Sequence, residues 1–186
     1  MRRLTASAII LLLTLAGMAQ GQVPLSKQEK KELKKEHKKQ LEAVLTKNTA
    51  QAISSNHYVL KADQVRGRGG YMLNVDPMIN FVAVQNDEAF VQLGSPTGIG
   101  YNGLGGITLR GKITSTNLRR DEKNGGYYIT MNTVGPAGSL TIFMHINQTG
   151  EMATARVESN WGSQVEFNGR LVPWEGRDVF KGTETL

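Results

Sequence analysis

The sequence predicts a mainly β protein behind one N-terminal helix, with an antiparallel meander of about eight strands forming a barrel-like or two-layer body. Three observations carry this expectation. Hydrophobic alternation of period two begins at Tyr58 and recurs in short runs to Val172. Tight-turn signals separate the runs, such as NDE at 86–88, EKNGG at 122–126, GPAG at 135–138 and NWGS at 160–163. No helix-length apolar pattern interrupts them, and parallel strands would need such crossovers.

Residues 1–21 open with Met1-Arg2-Arg3, continue through the apolar run IILLLTL at 9–15 and end in small residues. A basic head, a short apolar run and a small-residue cut region are expected of a secretory signal peptide, with cleavage after Ala19 or Gly21. The run is short of the ~20 residues a membrane span needs. The expected localisation is therefore periplasmic or secreted. No later run is long enough to be a transmembrane helix.

Residues 22–56 hold the helix, read from Ser26 to about residue 54. Ser26 with Glu29 three positions on is a capping box. Lys, Glu, Gln, Leu and Ala dominate the stretch beyond it, all good helix formers. Leu33 stands alone in the first half, whereas Leu41, Val44, Leu45 and Ile53 suggest that the second half docks by one face. The Lys-rich first half is expected to project into solvent or to contact an anionic envelope component.

Residues 57–186 make the β-rich domain. Strands are expected at 58–63, 79–85, 88–93, 107–117, 127–134, 139–147, 151–158 and 164–172. Alternation assigns their faces. Leu140, Ile142, Met144 and Ile146 point inward, as do Ile107, Leu109 and Ile113, and Val165, Phe167 and Leu171. Thr108, Arg110 and Lys112 are expected outside. Gly111 and Gly169 fall mid-strand on the apolar side, where glycine marks a bend, a bulge or a close backbone approach.

The chain has no cysteine, which excludes a disulfide framework. Its net charge is +6, but Arg2 and Arg3 supply two of these charges and the stretch from Ser26 to Asn56 supplies the other four. From His57 onward 12 basic residues balance 12 acidic ones. A neutral body argues against nucleic acid as a partner.

The stretch GIGYNGLGG at 98–106 imitates a dinucleotide fingerprint. That fingerprint needs a following helix, whose N-terminus holds the pyrophosphate. Here ITLRGKI comes next, at 107–113, and alternates as a strand. Gly106 to Lys112 also imitates a phosphate loop, but Ile113 stands where Ser or Thr is required. The loop reads instead as a long strand connection, in which Tyr101 and Leu104 could plug an end of the body or line a ligand mouth. Trp161, in a turn, reads first as a cap on the core and second as an exposed contact.

No activated nucleophile is visible. His37 lies on the charged helix, His57 at the helix-to-strand junction and His145 on a strand face. There is no G-x-S-x-G elbow and no metal-ligand spacing. The expectation is no catalytic residue, no metal and no cofactor, with Tyr101, Leu104 and Trp161 as the weak ligand-binding candidates.

Several segments resemble one known family. INFVAVQNDEAFVQLGSPTGIGYNGLGGITLRGKI, the hairpin YYITMN, then VEFNGRLVP and VFKG are similar to the small exported bacterial proteins grouped as domain of unknown function 4251. The resemblance runs from the helix to Gly182. It implies an exported β-rich domain and neither an activity nor catalytic residues. The expected role is non-catalytic binding, of a small apolar ligand inside the body or of an envelope component. An interaction module without a cavity is the alternative, and a hydrolase built from scattered residues a more distant one.

Overall fold

The computed structural model describes residues 26–95, 105–176 and 179–185. The chain forms two compact units, Met1–Glu36 and His37–Leu186. In the first, the described residues begin the helix α1 (Lys27–Ser54). The capping box is formed: the Glu29 N–H donates to Ser26 Oγ at 3.2 Å and the Ser26 N–H donates to Glu29 Oε2 at 2.8 Å. These bonds hold the Glu29 carboxyl below its ordinary pKa, the Ser26 backbone bond being the main cause.

The second unit carries the rest of α1 and nine strands: β1 (His57–Gly67), β2 (Met72–Asn74), β3 (Phe81–Gln85), β4 (Glu88–Leu93), β5 (Ile107–Arg120), β6 (Tyr127–Gly135), β7 (Gly138–Ile146), β8 (Ala153–Ser159) and β9 (Gln164–Pro173). Every pairing is antiparallel and each strand from β3 to β9 joins the next. β9 then pairs with β1 from Tyr58↔Pro173 to Gly67↔Val165, which closes an eight-strand barrel. Closure settles the choice between a barrel and two layers. It also pairs most of the sheet's edges with one another.

β2 is the ninth strand. It lies in line with β3 along one edge of β1, with β3 opposite 57–61 and β2 opposite 64–66. Alternation predicts no strand there, because three exposed residues carry no such pattern. Between the two pairings β1 bulges at Asp63, and the Asp63 carbonyl accepts from the Val75 N–H. Gly169 sits against this bulge. A Cβ there would overlap the Lys61 carbonyl oxygen, so only glycine lets the two strands close.

The expected inner faces of β7 and β9 are buried at Leu140, Ile142, Met144, Ile146, Phe167 and Leu171, whereas Ile107, Leu109, Ile113 and Val165 are half-buried. Leu140, Ile142, Met144 and Ile146 meet Tyr58, Leu60, Met131 and Phe167 in one cluster. Eight strands give an interior just wide enough for side chains to fill. Burying each large apolar side chain here contributes about 1.5–3 kcal/mol.

One end of this barrel is plugged by the last two turns of α1. Ala52 and Ile53 join the inner cluster, and Thr49 packs on Gly150 in the β7–β8 turn. The expected docking face was broader. Leu41 and Val44 are 49% and 55% exposed and Leu45 is half-buried, so the face shrinks to Thr49, Ala52 and Ile53. The physical reason is that only the final turns reach the barrel mouth. Leu41 and Val44, further up the helix, have no surface to cover.

The outer wall is not uniformly polar. Val59, Phe81, Ala83 and Phe90 point outward from β1, β3 and β4 and form a second buried cluster with Val179, flanked by Val172 and Trp174. The C-terminal segment covers them. Thr108, expected to be exposed, is fully buried beneath this segment: its N–H and its carbonyl both bond to Thr185.

A candidate ligand cavity at the loop end of the barrel

The end opposite the helix gathers the β6–β7 turn, the β8–β9 turn, the end of β4 and the start of β5. Here the inward side chains become smaller. Val91, Leu93, Ile107 and Leu109 from β4 and β5 face Leu140, Val157, Val165 and Phe167 from β7, β8 and β9. Branched aliphatics on facing strands leave space between them where Tyr58 and Met131 fill it further in. The result is a half-open cavity of about 80 Å³. Among the described residues, only Ser159 and Ser163 give it a polar lining, and no titratable side chain does. It offers dispersion and water exclusion, and no acid, base or nucleophile.

Turn chemistry frames the mouth. In the β8–β9 turn, Gly162 takes a φ of 78° and the Ser159 carbonyl accepts from its N–H. Arg68, after β1, donates from Nη1 to the Gly162 carbonyl at 3.5 Å. Trp161 stands on the rim with 66% of its surface exposed, so it is a surface contact and not a core cap. The edge of its ring rests on Gly138, where a Cβ would come within 2.8 Å. Gly138 itself has a φ of 97°, so glycine is required twice over. Tyr101 and Leu104 lie outside the described residues. The lining residues escape a sequence-level search, since no motif marks them. Their signal is the inward face of each strand, which alternation does assign.

Other recesses have different chemistry. A wide groove between α1 and the turns after β5 and β7 is lined by Glu42, Thr46, Lys47, Asn124, Asn147 and Gln148 among others, and is open and polar. A recess of about 350 Å³ lies beside His57 and Trp174. The Trp174 Nε1 is buried without a hydrogen-bond partner among the described residues, and its ring meets Phe90 edge-on at 5.8 Å.

His145 does not meet a nucleophile. Its ring stacks on Tyr128 at 4.6 Å on the outer wall, and the Arg119 guanidinium lies 5.6 Å over Tyr128 from the next strand. Among the described residues, no three of His, Asp and Glu come together in a metal-binding group. No helix among them is long and apolar enough to cross a membrane. Tyr58 is a deeply buried phenol. Burial pushes its pKa well above the ordinary 10, and its hydroxyl donates to Met131 Sδ at 3.8 Å.

Fold and site together define a closed, antiparallel, eight-strand barrel with one added strand, a helical plug and an apolar pocket at the opposite end. The family model described as Domain of unknown function (DUF4251) matches residues 40–171, and the chain belongs to that family. A crystal structure of a DUF4251 family protein from Bacteroides eggerthii DSM 20697 is similar to it: 28% identity, TM-score 0.59, with 71% of this chain and 89% of that one covered. No curated protein matches this chain.

Proposed function

We propose that this is an exported, non-catalytic binding protein that takes a small apolar group into the loop end of its barrel. The observation that carries the reading is the cavity among Val91, Leu109, Leu140, Val157 and Phe167. Its volume of about 80 Å³ is roughly half that of the 150 Å³ cavity known to accept benzene. It therefore suits the end of an alkyl chain or a branched aliphatic group, not a whole lipid. The N-terminal layout of basic head, apolar run and small residues supports export. The Lys-rich first half of α1, whose described side chains are exposed, suits an anionic envelope surface.

The test is native mass spectrometry of the protein purified from its host. Added mass that is lost on denaturation, and absent from Val157→Phe, is the expected result. Bare polypeptide mass in both proteins would overturn the ligand reading. Salt-insensitive sedimentation with host envelope fragments would overturn the electrostatic role of the helix.

A further inference from the structure

The barrel wall has a notch. β4 pairs with β5 only from Leu93↔Ile107 to Glu88↔Lys112, where the β3–β4 turn ends it. β5 runs on to Arg120, paired with β6 alone. All seven residues 114–120 are exposed. The ladder shows which backbone groups are free. The Asp121 N–H donates to the Gly126 carbonyl at 2.8 Å, so the bonded pairs that precede it alternately are Arg119↔Tyr128, Asn117↔Thr130 and Ser115↔Asn132. The N–H and C=O groups of Thr116, Leu118 and Arg120 therefore point away from β6, and no described residue bonds to them.

The side chains beside this edge have a defined chemistry. Leu118 is paired with the buried Ile129 on the inner face, yet it is 50% exposed because no described strand stands on its other side. Arg119 and Arg120 reach only the rings of Tyr128 and Tyr127, at 5.6 and 5.8 Å, and neither is in an ion pair with a described residue. No acidic residue lies within 114–120. A native edge is commonly guarded by proline, by a cover, by brevity, by a bulge or by charge. This one has seven residues, no proline and no cover among the described residues. Its bulge lies at its start, between Ile113 and Ser115, and its charges are Arg119 and Arg120, which admit a strand that carries carboxylates.

We propose that the free edge of β5 receives an extended strand of a partner protein in which apolar residues alternate with carboxylates. The added strand takes the place that β4 vacates. Its backbone pairs with Thr116, Leu118 and Arg120, an apolar residue covers Leu118 on the inner face, and carboxylates on the opposite face meet Arg119, while Arg120 lies on the Leu118 side beside Tyr127. This is strand addition, in which the main chain supplies affinity and alternate side chains supply selectivity.

The experiment uses the full chain and two blocked seven-residue peptides, one alternating Val with Glu and one alternating Val with Lys. Amide hydrogen exchange and heteronuclear NMR report the site. The Glu peptide is expected to slow exchange at Thr116, Leu118 and Arg120 by tenfold or more, and the Lys peptide to leave it unchanged. Leu118→Pro removes an outward N–H, which an edge strand tolerates, together with a half-exposed side chain. It should keep the native melt and lose peptide binding at least tenfold. Arg119→Glu leaves the backbone intact and should exchange the preference between the two peptides, so the proposal stays testable if the proline variant does not fold. Unchanged exchange with the Glu peptide, equal response to both peptides, or undiminished binding by a folded Leu118→Pro would overturn it. Protection of the same three amides that grows with protein concentration alone would overturn it in favour of a second copy as the occupant.

Discussion

The outer wall of the barrel is built in two ways. Over β1, β3 and β4 it is apolar: Val59, Phe81, Ala83 and Phe90 face outward and are buried. Over β5 to β8 it is polar: Thr130, Asn132, Thr141, His145 and Thr154 stand on it, with aromatic–cation pairs such as Phe143 with Arg156 at 4.8 Å. The difference lies in what covers each face. The C-terminal segment crosses the first, and Gln92 fastens it there. Gln92 donates from Nε2 to the carbonyls of Ile79 and Phe180, and its Oε1 accepts from Thr108 Oγ1 and the Gly182 N–H. Lys181 Nζ lies 3.8 Å from the Phe90 ring centroid, and Glu184 meets Arg110. A buried amide with every near partner satisfied is specific in a way that apolar contact alone is not. The bare face needs no cover, because its polar side chains bond to each other, as Asn132 does with Ser115 and Thr141.

This contrast can be broken at its strongest point by Phe90→Ala. Phe90 is buried between Trp174 and the C-terminal segment, so truncation should cost about 3–5 kcal/mol in urea unfolding. A loss below ~1 kcal/mol would mean that the covered face is not a second core. Gln92→Ala should cost about 2–3 kcal/mol, since it takes a hydrogen-bond partner from the buried Thr108 hydroxyl and from three backbone groups. It should also speed amide exchange at Gly182, and native-rate exchange there would show that the segment is held without its clasp.

On the bare face the effects should shrink. Phe143→Ala removes a half-exposed ring and one contact with Arg156, and is expected to cost about 1 kcal/mol or less. Denaturant midpoints for Phe90→Ala and Phe143→Ala, measured side by side, sharpen the comparison directly. The smallest effect belongs to Asp121, in the exposed turn after β5. Its carboxylate accepts from the N–H groups of Lys123 and Asn124, which lower its pKa from the ordinary 3.8. A lowered folded pKa means stability that is present above the unfolded value and lost as pH falls through the folded one. Asp121→Asn should therefore lower the melt slightly at pH 7 and flatten its acid limb below about pH 4, so that variant and parent converge in acid. An NMR titration placing the Asp121 midpoint at or above 3.8 would contradict this.

The helix offers the same lesson in miniature. Leu41→Ala should be nearly silent, within ~0.5 kcal/mol, whereas Ile53→Ala should cost about 2 kcal/mol or more. Spacing marks both residues as one apolar set. Only contact with the barrel mouth separates them.

Much of the fold was legible because strand alternation is a local signal. The inward sets on β7 and β9 and the capping box at Ser26 were each fixed by neighbours within a few residues. The site was legible only in part. Each inward residue of the cavity could be assigned to its face, but a cavity is a shortage of volume between strands far apart in the chain. Leu109 and Leu140, or Val91 and Val165, say nothing of that shortage until they face each other. Trp161 is exposed on the rim rather than capping the core, because a turn sequence does not say which way its ring falls.

The sequence by itself determined that this chain is one helix followed by a β meander, where the strands turn and which face of most strands is apolar. These features arise from the chemistry of a few successive residues. Tertiary structure alone decided that β9 returns to β1, that the C-terminal segment buries Gln92 and Thr108, that Leu41 stays in solvent, and that β5 outruns β4 to leave a free edge. Each of these depends on which surfaces meet, and a local pattern carries no information about its distant partner.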